Sequence, residues 1–260
     1  MKRNKILLIV IALWGTALLS KAYQHRKSGS INLSHTSNAV AGPADTTRQY
    51  NEDLFKQFET VCRELDNHEK IAFSGTLFMQ DKADSLNKPQ TLPLILCREG
   101  KELYYKLGNT EMLSSSEYYL FTDHDAKKVI LSEPKQFITS NVIDTRRMKE
   151  ALLSEEYELK SKFQGSNTTI SLINENHITC KEYSITFDTA TRSAKKFFMR
   201  FSNANDPLGK DNEKIVELTV VQRESSPDIS KYLNERIPLS GDSTDLKLKK
   251  DYADYELIKL

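Results

Sequence analysis

Few stretches of this sequence hold side chains that do chemistry at close spacing. Asp123-His124-Asp125 is the one local cluster with metal-ligand types. Three adjacent residues point in different directions, so they cannot chelate one ion without distant help, and the stretch reads as a hairpin loop. Glu155, Glu156 and Glu158 offer paired carboxylates of the kind glycosidic chemistry uses. They fall on the solvent phase where a strand begins, which makes a charged face. Ser74-Gly75 lies inside a strand pattern, and the sequence contains no Gly-x-Ser-x-Gly elbow. Of the five histidines, His25, His35, His68, His124 and His177, none has a second ligand type at helical or hairpin spacing. Gly100, Gly108 and Gly165 are isolated, so there is no phosphate loop and no dinucleotide fingerprint. The residues therefore predict no catalytic group, no metal and no cofactor. Binding, carrying and scaffolding remain.

Cys62, Cys97 and Cys180 are an odd count at spacings that match no metal motif. Cys62 falls on a helical stripe and Cys97 ends an apolar strand. Both positions suit buried structural thiols, because cysteine packs as a small hydrophobe.

The elements that would position these residues follow from periodicity. Tyr50, Leu54, Phe58, Val61 and Leu65 form a helical stripe widened by Phe55 and Cys62, with Thr46 and Gln49 placed as a capping box. Strands follow with period two. Ile71, Phe73, Leu77 and Met79 share a face, and Gly75 within that run marks a bulge or a close backbone approach. Leu92 to Cys97 is a nearly continuous apolar strand that Pro93 marks as an edge or a strand start. Leu103 to Leu107, Tyr118 to Thr122 and Val129 to Leu131 complete five strands of an antiparallel meander. A second helix is expected over about Asn141 to Ser154. Strand patterns then resume, with Tyr157, Leu159 and Phe163 on the apolar phase of the first, and then around Ile170, Ile185, Phe197 and Leu218. Ser226-Pro227-Asp228 reads as an N-cap, an N1 proline and an acidic first turn opening a short helix, and Leu246 to Leu248 and Tyr255 to Leu260 return to the sheet. Strand runs with so few helices argue against βαβ units and for a mainly β fold.

Composition is consistent with one folded domain. Of 260 residues, 38% are hydrophobic and 28% charged, both ordinary for a globular chain. The net charge is +1, and without the first 22 residues it becomes 33 basic against 36 acidic. A mixed, near-neutral surface carries no electrostatic footprint for nucleic acid.

At the N-terminus, Lys2, Arg3 and Lys5 precede an apolar run from Ile6 to Leu19. That is the pattern of an export segment over residues 1–22, either a signal peptide or a membrane anchor. Ser20-Lys21-Ala22 offers small residues for cleavage. Lys21, Arg26 and Lys27 and the polar stretch after them suit a retained anchor with a flexible tether over 23–46. Either way the domain over 47–260 is expected outside the cytoplasm, in the periplasm or cell envelope.

Adjacent aromatic pairs, Tyr104-Tyr105, Tyr118-Tyr119 and Phe197-Phe198, put rings on both faces of the sheet. The odd-numbered phase gathers Phe73, Leu77, Tyr105, Leu107, Ile185, Phe187, Phe197 and Met199. In a curved sheet these eight side chains would pack the helix stripe or line an apolar cavity.

The layout resembles the bacterial LolA/LolB-like half-barrel. A helix ending near Leu65 leads into Phe73-Ser74-Gly75-Thr76-Leu77-Phe78-Met79-Gln80, similar to that family's opening strand. Glu102-Leu103-Tyr104-Tyr105-Lys106 and Tyr118-Tyr119-Leu120-Phe121-Thr122-Asp123 fall where its next hairpins lie. The resemblance spans about Thr47 to Leu260, without the family's Arg-Pro strand motif after the first hairpin and with a longer tether. It implies an α+β fold in which a curved antiparallel sheet wraps around a few helices. It also implies non-enzymatic binding of an acyl chain or other apolar group. A structural subunit of an envelope assembly, displaying a protein-binding face, is the alternative.

Overall fold

A computed structural model describes residues 51–66, 70–84, 86, 88–134, 145–224, 226–235, 237–240 and 247–260. The expected export segment and tether, the Thr46–Gln49 box, His25, His35 and His68 lie outside these residues. Among the described residues no helix is long and apolar enough to cross a membrane.

Helix α1 runs Glu52–Asp66. Its cap is Asn51, whose Oδ1 accepts the Leu54 backbone N–H at 3.0 Å. Six strands follow: β1 (Lys70–Asp81), β2 (Gln90–Glu99), β3 (Glu102–Leu107), β4 (Thr110–Ser114), β5 (Tyr119–Asp123) and β6 (Lys128–Ser132). Helix α2 (Thr145–Ser154) leads into β7 (Glu158–Gln164), β8 (Asn167–Ile173), β9 (Cys180–Asp188), β10 (Ala194–Phe201) and β11 (Lys214–Arg223). Helix α3 (Ile229–Glu235), the small pair β12 (Leu239–Ser240) and β13 (Lys247–Leu248), and β14 (Glu256–Lys259) end the chain.

The expected fold class holds. One curved, unclosed sheet of twelve strands has the order β14-β6-β5-β4-β3-β2-β1-β11-β10-β9-β8-β7. It consists of two meanders, β1–β6 and β7–β11, joined where β1 pairs with β11. Every pairing in it is antiparallel except β14 on β6.

Several local expectations need correcting. Pro93 lies inside the sheet, on β2 between β1 and β3, just beyond the end of β3. It is tolerated there because no β3 residue needs its missing N–H, and its carbonyl accepts the Gly108 N–H at 2.9 Å. The first run holds six strands, not five. Strand β4 escapes a hydropathy reading because it carries a charged residue, Glu111, that is only 8% exposed. The α3 cap is Asp228 instead of Ser226: its Oδ1 accepts the Ser230 N–H at 3.0 Å. Of the two C-terminal returns, only β14 joins the large sheet. Phe163, on edge strand β7, is 71% exposed rather than part of the core.

Gly75 sits at a close approach of the two meanders. The β1–β11 register slips between Ser74 and Gly75. A Cβ on Gly75 would stand 2.0 Å from the Thr219 carbonyl oxygen, which the backbone could accommodate only by parting the strands. Gly75→Ala is expected to destabilise by about 1–3 kcal/mol. Urea unfolding checks this; an unchanged midpoint would show that the strands separate there at no cost.

Candidate functional site

The sheet buries both faces. On the first, the α1 stripe (Phe55, Phe58, Val61, Cys62) and Leu152 of α2 pack on Ile170, Leu172, Ile185 and Phe187. On the opposite face, α3 and the C-terminal segment cover Ala72, Cys97, Tyr104, Leu113, Leu120 and Val129. Tyr232 of α3 stacks on Tyr104 with ring centres 4.4 Å apart.

Between these lies a third layer, on the first face of β1–β4, β10 and β11. Ile71, Leu77, Leu94, Leu96, Leu103, Tyr105, Leu107, Val216 and Leu218 are buried in it. Phe73, Met79, Leu92, Met112, Met199 and Phe201 are half-buried against them. Among the described residues this layer is made of strands alone. A central row of the β1–β6 meander starts in it and runs in register across six strands: Phe73, Leu96, Tyr105, Met112, Phe121 and Ile130. Phe121 and Ile130 are half-buried too.

All eight residues singled out from the sequence lie on the first face, in two settings. Ile185 and Phe187 belong to the core under α1, each 1% exposed. Leu77 and Leu107 are buried in the strand-only layer. Phe73 and Met199 are half-buried at its surface, and Phe197 is half-buried where it meets the α1 core. Tyr105 is 7% exposed, and its hydroxyl has no hydrogen-bond partner among the described residues. Burial holds this phenol protonated, above the usual tyrosine range.

Sequence reasoning missed Met112, Phe121 and Ile130, which continue the row. The signal was there in Gly108-Asn109, which turns the chain into β4, followed by Glu111 and Leu113 alternating with Met112.

The polar stretches take structural roles. Asp123 Oδ1 accepts the Ala126 N–H at 2.8 Å, and Asp125 Oδ1 accepts Asn109 Nδ2 at 2.8 Å. His124 instead reaches the second face, with Nε2 3.3 Å from Glu111 Oε1 and Nδ1 2.8 Å from the Tyr255 hydroxyl. A carboxylate only accepts, so in the neutral ring Nε2 carries the proton and Nδ1 accepts from Tyr255. Lys106 Nζ, at 2.6 Å, and the Tyr104 hydroxyl, at 3.0 Å, also donate to Glu111. Burial would raise the Glu111 carboxyl, but these donors outweigh it and hold it below the usual range. The cluster ties β14 to the hairpins.

His177 Nε2 lies 2.8 Å from Glu155 Oε2. Its Nδ1 accepts the Cys180 N–H at 3.0 Å, which fixes the β8–β9 turn. No group of three metal-ligating side chains occurs among the described residues. The three cysteines are buried and unbridged. Burial pushes the Cys97 thiol up to about 11 and Cys180 up to about 12, so neither is a thiolate at neutral pH.

No family profile and no curated protein matches this sequence. Solved structures do. A conserved protein from Thermus thermophilus aligns with 80% of this chain and 98% of its own, at 7% identity and a TM-score of 0.40. A domain described as an outer membrane lipoprotein-sorting protein, from Vibrio parahaemolyticus, aligns with 71% of this chain and 97% of its own, at 13% identity and a TM-score of 0.29. A DUF1329 family protein from Desulfovibrio piger gives the same two coverages at 7% identity and a TM-score of 0.29. No chemistry is carried over from any of them.

Proposed function

We propose that this protein is a non-enzymatic binding protein of the cell envelope, and that the strand-only layer takes an acyl chain or another apolar ligand. One observation carries the reading: a half-buried apolar strip, Phe73, Met79, Leu92, Met112, Met199 and Phe201, lies over a fully buried layer on a sheet face. Apolar surface left partly open on a sheet face marks a place where something apolar docks. Three of the chain's five methionines are in the strip. Their unbranched, polarizable side chains re-pack around ligands of varied shape. The N-terminal basic-then-apolar segment supports the location.

The test is to recover the protein from its own envelope, by osmotic shock and from washed membranes, and to extract its lipid for mass spectrometry. A stoichiometric acyl compound is expected. Absence from both fractions would sink the location. A protein that arrives empty and also binds no added fluorescent fatty acid would sink the carrier reading.

A second reading, an interaction subunit of an envelope assembly, draws on β7. Among the described residues that strand ends the sheet, with nearly every residue exposed, Phe163 included. Lys160 and Lys162 on it are of the kind that guards an edge against indiscriminate pairing.

A further inference from the structure

We infer that the ligand of this layer carries a hydrogen-bond acceptor, a carboxylate or ester oxygen, and that the Tyr105 hydroxyl donates to it. The inference rests on the binding function proposed above and names the chemical class of the ligand.

The argument starts from the register. Tyr105 stands between Leu96 and Met112 in the central row, with Phe73 and Phe121 next outward. Its hydroxyl is the single polar side-chain group among those six residues. A tyrosine side chain stands roughly perpendicular to the sheet. Its oxygen is enclosed in the free protein, so a ligand chain would reach it by displacing Met112, its half-buried cross-strand neighbour. Buried polar atoms in native proteins nearly always have a partner, and this one has none among the described residues. Phenylalanine would fill the same space without leaving a polar atom unsatisfied. Tyrosine at this position is accounted for by a partner that arrives with the ligand. The phenol stays protonated, so its O–H is there to donate, and an acceptor on the ligand satisfies it.

Apolar surroundings set the rest of the ligand. Met79, Leu92, Met199 and Phe201 lie on the same face, toward the ends of β1, β10 and the start of β2. They suit hydrocarbon. One acceptor oxygen attached to an aliphatic chain satisfies both halves. A bare hydrocarbon leaves the hydroxyl unpaired.

The experiment compares wild type and Tyr105→Phe with three fluorescent probes: cis-parinaric acid, its methyl ester, and diphenylhexatriene, which accepts no hydrogen bond. The variant is expected to bind the acid and the ester roughly tenfold more weakly, the worth of one neutral hydrogen bond, and to bind diphenylhexatriene as wild type does. A loss confined to the acid also supports the inference and identifies the head as a free carboxylate. Equal affinity for all three probes in both proteins would overturn the inference and leave the binding function standing. A parallel loss for diphenylhexatriene would overturn it too, since Tyr105 would then act by shape. Wild type that binds none of the three would remove the binding function itself. Thermal unfolding supplies a readout without ligand. With no bond to lose, Tyr105→Phe should melt at or above the wild-type temperature. A clear fall would reveal a partner within the chain and overturn the inference.

Discussion

Phe187→Ala is expected to destabilise the protein by about 3–5 kcal/mol, while Phe73→Ala costs about 1 kcal/mol and instead weakens acyl binding. Both positions carry a phenylalanine on the first face of the sheet, so residue type alone predicts no difference. Their surroundings do. Phe187 is 1% exposed and is packed in the core that α1 and α2 cover. Truncating it removes the transfer energy of the ring and leaves a void that helix and sheet cannot both move to fill. Phe73 is half-buried in the strand-only layer. Its ring already meets solvent on one side, so there is less burial to lose. Leu77→Ala and Ile185→Ala should follow Phe187, and Met199→Ala should follow Phe73. Urea unfolding with a fatty-acid titration separates the two classes. If Phe73→Ala and Met199→Ala unfold as easily as Phe187→Ala and leave probe binding unchanged, the layer is ordinary core and the scaffold reading prevails.

Glu213→Gln is expected to cost about 3–5 kcal/mol, because it leaves a buried ammonium without its counter-charge. Lys181 has no exposed side chain, and its Nζ lies 3.1 Å from Glu213 Oε1. Arg200 Nη1 shares that oxygen at 3.0 Å, and Lys82 Nζ is 3.6 Å from Oε2. Arg200 also holds Glu175 and Glu182, so it keeps partners when Glu213 is neutralised; Lys181 depends on Glu213. Replacing the pair, Lys181→Met with Glu213→Leu, should recover most of the loss, since two apolar side chains leave no charge stranded.

The same group sets an acid dependence. Burial pushes the Glu213 carboxyl up, but the Lys181 hydrogen bond and the Arg200 and Lys181 charges outweigh it, so the folded value lies below the ordinary one. A depressed folded value means that the stabilisation is fully present above the unfolded carboxylate pKa of about 4.3 and is lost as pH falls through the folded value. Wild type should therefore lose stability steeply below about pH 4, and Glu213→Gln should show a shallower acid limb. Equal acid limbs in the two proteins would remove Glu213 from the account.

How much of this was legible in the sequence depended on which side chain meets which neighbour. The helix stripe from Leu54 to Cys62 and the period-two runs in β1, β3, β9 and β10 each obey one periodicity and were read correctly. The bulge at Gly75 was also legible, since glycine inside an apolar strand run has few other reasons. Strand β4 was marked only by the Gly108-Asn109 turn and a short alternation, because Glu111 is kept in a half-apolar site by Tyr104 and Lys106 of β3 and by His124. A buried acid with distant donors looks the same in sequence as an exposed one. The candidate site was legible as a face and not as a site. Alternation shows that Phe73, Tyr105 and Phe187 face the same way. Which of them lie under α1 depends on where the helix crosses the sheet, and no local pattern encodes that.

The β1–β11 junction sets the order in which this chain can fold. Within each meander, β1 to β6 and β7 to β11, strands pair with their sequence neighbours, whereas β14 must return to β6 and Phe73 must meet Arg223 across most of the described chain. Each meander can zip through short loop closures, but the seam needs the longest one, whose entropy cost precedes any contact it makes. The seam is then the late, slow event. Until it forms, β1 and β11 are open edges, and Gly75, which lets the two backbones approach closely, lies on the line where two half-sheets become one.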